Sequence, residues 1–114
     1  MKECLFCRIA NKEIHAELVF ENDNLLAFKD IEPQAPVHIL IISKEHIVST
    51  NDLSSKHKEL VGDILLTAKK LALENNIAED GYRMVFNCNK MGGQAVYHIH
   101  LHLLGGRQMN WPPG

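Results

Sequence analysis

This 114-residue sequence predicts an α+β fold built on an antiparallel sheet. Three observations carry the prediction. Short β-like runs follow one another, and the chain contains a single long amphipathic helix. In addition, His98-Ile99-His100-Leu101-His102-Leu103-Leu104 alternates imidazoles with large apolar side chains. On a strand that alternation puts His98, His100 and His102 on one face and Ile99, Leu101 and Leu103 on the other. A helix would scatter the same residues around its circumference.

The elements read in order as follows. Phe6 to Asn11 predicts a short helical turn ended by Asn11-Lys12. Glu17 to Glu21 and Leu25 to Lys29 are strand-like, and Asn22-Asp23-Asn24 between them has turn composition, so the pair predicts a hairpin. Pro33-Gln34-Ala35-Pro36 breaks regular structure. Val37 to Ser43, rich in β-branched residues, predicts a central strand carrying His38. Leu60, Val61, Ile64, Leu65, Ala68, Leu71 and Ala72 recur at helical spacing, predicting a helix over about Ser54 to Asn75 with Asp52 or Ser54 as N-cap. Tyr82 to Asn87 predicts another strand. A glycine loop containing Gly92-Gly93 follows, then the histidine strand and a tail ending Trp111-Pro112-Pro113-Gly114. No linker or repeat divides the chain, so residues 1–114 are expected to form one domain.

Composition narrows the function classes. The chain is 46% hydrophobic and 23% charged, as in globular domains, and its formal net charge of −2 offers no basic footprint for a nucleic-acid polymer. No apolar run approaches the roughly 18 residues that span a bilayer. The first residues lack the apolar stretch of a secretion signal, so a cytoplasmic location is expected. In that reducing setting the three cysteines are not expected to pair. Cys4-Leu5-Phe6-Cys7 is a C-x-x-C, open by itself to a redox pair, half a metal site or coincidence. The βαβ context of a thioredoxin-like motif is missing. The histidine face is the candidate site, because imidazole serves nucleophilic attack, proton transfer or metal binding near neutral pH.

Those residues resemble the histidine triad (HIT) superfamily, and more closely its Hint branch of nucleotide-binding nucleoside phosphoramidases. The resemblance runs through Leu26 to Ile31, Pro33 to Pro36, Gly81 to Val85, Gly92 to His98 and the tail from Gly105 to Gly114. It implies a five-stranded antiparallel sheet with one long and one short helix, in a homodimer whose sheets join. It further implies that His100 attacks the α-phosphorus of a purine nucleoside monophosphate amide or ester, giving a nucleotidyl-histidine that water hydrolyses. His102 matches a phosphate-contacting histidine, His38 a buried histidine supporting the nucleophile, and Asp30 the carboxylate on the ribose hydroxyls. Asn87, Gly93, Gln94, Ala95 and Val96 match the phosphate and leaving-group cradle. Trp111 is expected to line a neighbouring subunit's leaving-group pocket.

One departure stands out: the Hint branch commonly has serine where this chain has Ala95, which removes a hydroxyl donor. Some HIT proteins also carry a zinc site. The matching residues here are Cys4, Cys7, His46 and His98, implying one structural zinc per subunit and no organic cofactor. Two other readings stay open from sequence. In one, His98, His100 and His102 bind a catalytic metal; in the other, the chain is a nucleotide-binding regulatory module with little turnover.

Overall fold

Four hydrogen-bonded ladders build the sheet that carries the histidines. In a computed structural model describing residues 3–114, the strands are β1 (Leu18–Glu21), β2 (Leu25–Lys29), β3 (Val37–Ser43), β4 (Tyr82–Val85) and β5 (His100–Gly105). They form one sheet in the order β1-β2-β3-β5-β4, with every neighbouring pair antiparallel. The expected β1–β2 hairpin is present. Asn22 Oδ1 accepts the backbone N–H groups of Asn24 at 2.9 Å and Leu25 at 2.8 Å, which closes the turn locally.

Period-two alternation separates two layers. Leu25, Ala27, Ile39, Ile41, Leu101 and Leu103 pack on one face against Ile64, Ala68, Leu71 and Ala72 of α2 (Lys58–Glu74). Burying each large side chain of this kind stabilises by about 1.5–3 kcal/mol. The opposite face carries Leu26, Phe28, Leu40 and Ile42 and is covered by Phe6 and Ile9 of α1 (Leu5–Ala10). His38, His100 and His102 lie on this second face. The histidine face is therefore not an open sheet surface: α1 roofs part of it, and His38 and His100 are each only 6% exposed.

The boundaries differ from the sequence expectation in several places: β4, for one, ends at Val85 rather than Asn87. The long helix is preceded by a tighter 3-10 turn, Ser55–His57, where His57 Nδ1 accepts the Ser54 N–H at 3.0 Å and fixes the entry. The glycine loop contains a single helical turn, α3 (Asn89–Gly92), ended by Gly93 at φ 83°. The histidine strand starts at His100 rather than His98, because β3 runs out one residue beyond the Ile42–His100 pair. His98 and Ile99 continue as an extended lead-in, with the Ile99 N–H donated to the Ile47 carbonyl at 2.6 Å. Among the described residues no helix is long and apolar enough to cross a membrane.

Candidate active site

Two adjacent strands supply the catalytic candidates. The β3–β5 register pairs His38 with Leu104 and Leu40 with His102, so His38 and His102 are diagonal neighbours on one face. Their rings meet with His38 Nε2 2.9 Å from His102 Nδ1. The His100 and His102 ring centres are 4.9 Å apart. His100 Nδ1 lies 2.7 Å from the His98 backbone carbonyl. A carbonyl only accepts, so Nδ1 carries the proton and Nε2 of His100 is left with its lone pair. Phe6 packs edge-on against the same ring, with centres 5.0 Å apart. The His100 ring is thus fixed by a hydrogen bond on one side and a steric wall on another.

Burial keeps this cluster uncharged. Desolvation pulls His38, His100 and His102 below the ordinary imidazole value, and for His102 the neighbouring His100 and His38 add to it, bringing it to about 4. Neutral imidazole has the free lone pair that attack on phosphorus needs. Asp30 stands at the edge of the cluster. Its Oδ1 accepts the Glu32 N–H at 2.8 Å and its Oδ2 lies 3.5 Å from His38 Nε2. A cleft of about 160 Å³ opens beside it, lined by Asp30, Pro33, Pro36 and His38 among others.

The loop residues divide by what they can offer. Gly93 and Ala95 are exposed, while Asn87 and Val96 are half-buried. Gln94 departs from the expectation of a substrate contact. Its side chain donates to the Val48 carbonyl at 2.8 Å and the Val96 carbonyl at 3.1 Å, and accepts the Asn89 N–H at 2.8 Å. Its own backbone N–H is given to Asn89. With every donor spent internally, Gln94 holds the loop in shape. Trp111 is 82% exposed and does not pack into the site. Arg83 Nη2 donates to the Asn110 carbonyl at 2.8 Å and draws the tail over the β4 edge.

A second constellation lies just ahead of the start of β5 and past the end of β3. Cys4, Cys7, His46 and His98 each offer one donor atom, all within 4.8 Å of one another. The Cys4 Sγ–His98 Nδ1 and Cys7 Sγ–His46 Nδ1 distances are 3.3 Å, and His46 Nδ1–His98 Nδ1 is also 3.3 Å. Tetrahedral zinc with ordinary bond lengths requires N–N and S–N edges of about 3.3–3.6 Å, so the donor set fits. His98 Nε2 donates to the Ser43 carbonyl at 2.6 Å, which leaves Nδ1 free as a ligand. Burial and the neighbouring Cys4 push the Cys7 thiol up to about 11, the opposite of a redox nucleophile. This layout also corrects the three-histidine metal reading. His98 turns to the cysteines, His102 to His38 and Asp30, and His100 joins neither group, so the three imidazoles do not converge.

Several positioning atoms had no sequence signal. The His98 and Ser43 carbonyls act through the backbone, which residue identity does not reveal. Phe6 reads in sequence as an ordinary core aromatic.

A buried imidazole with a bare nitrogen, beside two more histidines on a five-stranded antiparallel sheet, defines the class as a hydrolase with a histidine-lined site. A family model described as scavenger mRNA decapping enzyme C-term binding matches residues 3–111. The chain belongs to the histidine triad family. It is 48% identical to the purine nucleoside phosphoramidase of Escherichia coli, over 95% of this chain and 91% of that protein. It is 49% identical to the adenylylsulfatase HINT1 of Arabidopsis thaliana, over 96% of this chain and 76% of that protein. A HIT family hydrolase from Legionella pneumophila superposes with a TM-score of 0.97 at 62% identity, covering 98% of this chain and 100% of that one.

Proposed function

We propose that this chain is a single-domain hydrolase of purine nucleoside monophosphate amides and related esters, working through a nucleotidyl-His100 intermediate. The observation that carries it is the 2.7 Å bond from His100 Nδ1–H to the His98 carbonyl, which leaves Nε2 as the attacking atom. Relatives named as a phosphoramidase and an adenylylsulfatase support phosphorus as the centre attacked.

The Nε2 lone pair of His100 forms a bond to the α-phosphorus as the bond to the leaving amine breaks. Water then attacks the same phosphorus, the P–Nε2 bond breaks and His100 is regenerated. Over the cycle one water supplies hydroxide to phosphorus and a proton to the amine. Splitting one displacement into two is the gain of covalent catalysis. His102 hydrogen-bonds the phosphoryl group as charge builds on it. Asp30 accepts from the ribose hydroxyls, while Asn87, Gly93 and the Ala95 and Val96 amides surround the phosphate and leaving group.

Zinc, held by Cys4, Cys7, His46 and His98, is proposed as structural, because four protein ligands leave no open position for substrate. A homodimer is proposed through the β4 edge and the leucines that α2 leaves exposed, Leu66 at 63% and Leu73 at 69%. It would place Trp111 in the partner's leaving-group pocket. Hydrolysis of adenosine and guanosine phosphoramidates tests the reading. His100→Ala is expected to lower kcat by about 10³-fold or more while AMP and GMP still bind. Near wild-type turnover by that variant removes His100 from the role. Tight nucleotide binding without hydrolysis by the unaltered protein favours a regulatory module instead.

A further inference from the structure

We propose that the proline turn, residues 33–36, is a tautomer lock on the histidine face, held closed by Arg107. Gln34 and Arg107 are then positioning residues for the reaction proposed above, on which this inference rests.

The lock starts from a hydrogen bond with only one possible direction. The Gln34 backbone N–H lies 3.0 Å from His38 Nδ1. An amide N–H donates and never accepts, so Nδ1 of neutral His38 is bare and its proton sits on Nε2. That Nε2–H faces His102 Nδ1 at 2.9 Å and Asp30 Oδ2 at 3.5 Å. The nearer atom takes it, and the carboxylate favours the same tautomer. His102 must then accept at Nδ1 and carry its own proton on Nε2, on the side of the ring away from His38. A donor is thereby presented where a phosphoryl oxygen needs one. With the opposite tautomers, His102 would turn a lone pair toward that oxygen and repel it.

The turn is built for the task. Two of its four residues are prolines without an N–H, and Gln34 supplies one of the two amides that remain. Its side-chain Nε2 donates to the Glu32 carbonyl at 3.0 Å, and its backbone carbonyl accepts from Arg107 Nε at 2.9 Å. Among the described residues Arg107 has no carboxylate partner. Its guanidinium bridges the Gln34 carbonyl and, at 3.1 Å, the Gln108 carbonyl. Gly106 lets the two segments meet: at φ 93°, a Cβ there would stand 2.9 Å from Pro36 Cβ. The chain from Arg107 through Gln34 and His38 to His102 is continuous in hydrogen bonds.

The test reads tautomers directly. Long-range ¹⁵N–¹H spectra of the free protein at neutral pH are expected to show His38 and His102 both protonated on Nε2. Replacing the Gln34 amide by an ester, through a 2-hydroxy acid at that position, removes the N–H, weakens the Pro33 carbonyl as an acceptor and keeps every side chain. A mixture of tautomers at His38 and His102 is then expected, with kcat on a nucleoside phosphoramidate lowered about tenfold at unchanged KM. That loss is smaller than the 10²–10⁴ of deleting a proton donor, because every side chain remains. Arg107→Ala, the variant open to ordinary mutagenesis, is expected to shift both observables the same way. Wild-type tautomers in the ester protein, or in Arg107→Ala, overturn the lock. The spectra need no turnover, so a wild-type protein that shows the tautomers yet hydrolyses nothing overturns the proposed hydrolase and leaves the lock standing.

Discussion

His98 meets His100 through its backbone carbonyl, 2.7 Å from His100 Nδ1, while its ring lies among Cys4, Cys7 and His46. One residue therefore ties the candidate metal centre to the candidate nucleophile. What steadies the His98 ring also steadies the carbonyl that sets the His100 tautomer.

Cys4→Ser together with Cys7→Ser is expected to abolish zinc binding, measured by elemental analysis of protein purified without added metal. The melting temperature should fall by roughly 10 °C, as loss of a structural site removes folding free energy. Turnover should drop several-fold while AMP affinity holds. Unchanged metal content and melting temperature would falsify the assignment.

Ala95 is exposed in the loop beside the histidine face, where the Hint branch commonly has serine. Ala95→Ser is expected to raise kcat/KM for phosphoramidates by up to about 10²-fold, with little change in affinity for the product monophosphate. That split marks a bond made mainly in the transition state. Equal rates in steady-state assays would show that water or a backbone amide already supplies the donor.

Acid should weaken the fold and the activity together. His102 titrates at about 4 in the folded protein, against about 6.5 when unfolded. Between those values the unfolded chain binds more protons, so this contribution is complete above about pH 6.5 and is lost as pH falls toward 4. Protonation at Nδ1 also sets two donors face to face between His102 and His38. Melting curves from pH 7.5 to 4.5 should fall more steeply for the wild type than for His102→Gln. Parallel curves would remove His102 as the titrating group.

Trp111→Ala, or truncation after Gln108, is expected to change the preference among leaving groups and leave AMP or GMP affinity nearly intact. The indole is 82% exposed, free to meet a partner chain in the proposed dimer. Competition assays with small and bulky amines check this. Identical preferences in the truncated protein would reduce Trp111 to a tail residue.

Residue identity by itself determined the sheet, the long helix and the histidine face. Alternation in Val37–Ser43 and His98–Leu104, and the helical spacing of Leu60 to Ala72, are periodic signals that any strand or helix must obey. The histidines that matter were legible for the same reason, and the resemblance to the HIT superfamily attached roles to them. Tertiary structure decided what each imidazole touches. Whether His98 serves the cysteines or the phosphate depends on where the end of β3 places the Ser43 carbonyl. Which nitrogen of His38 is bare depends on a turn whose acting group is a backbone N–H. Gln94 reads in sequence as a substrate contact, whereas in the fold its side chain is bonded to Val48, Val96 and Asn89. Backbone donors and acceptors are the same in every residue type, so their use is decided by folding and leaves no mark in the sequence.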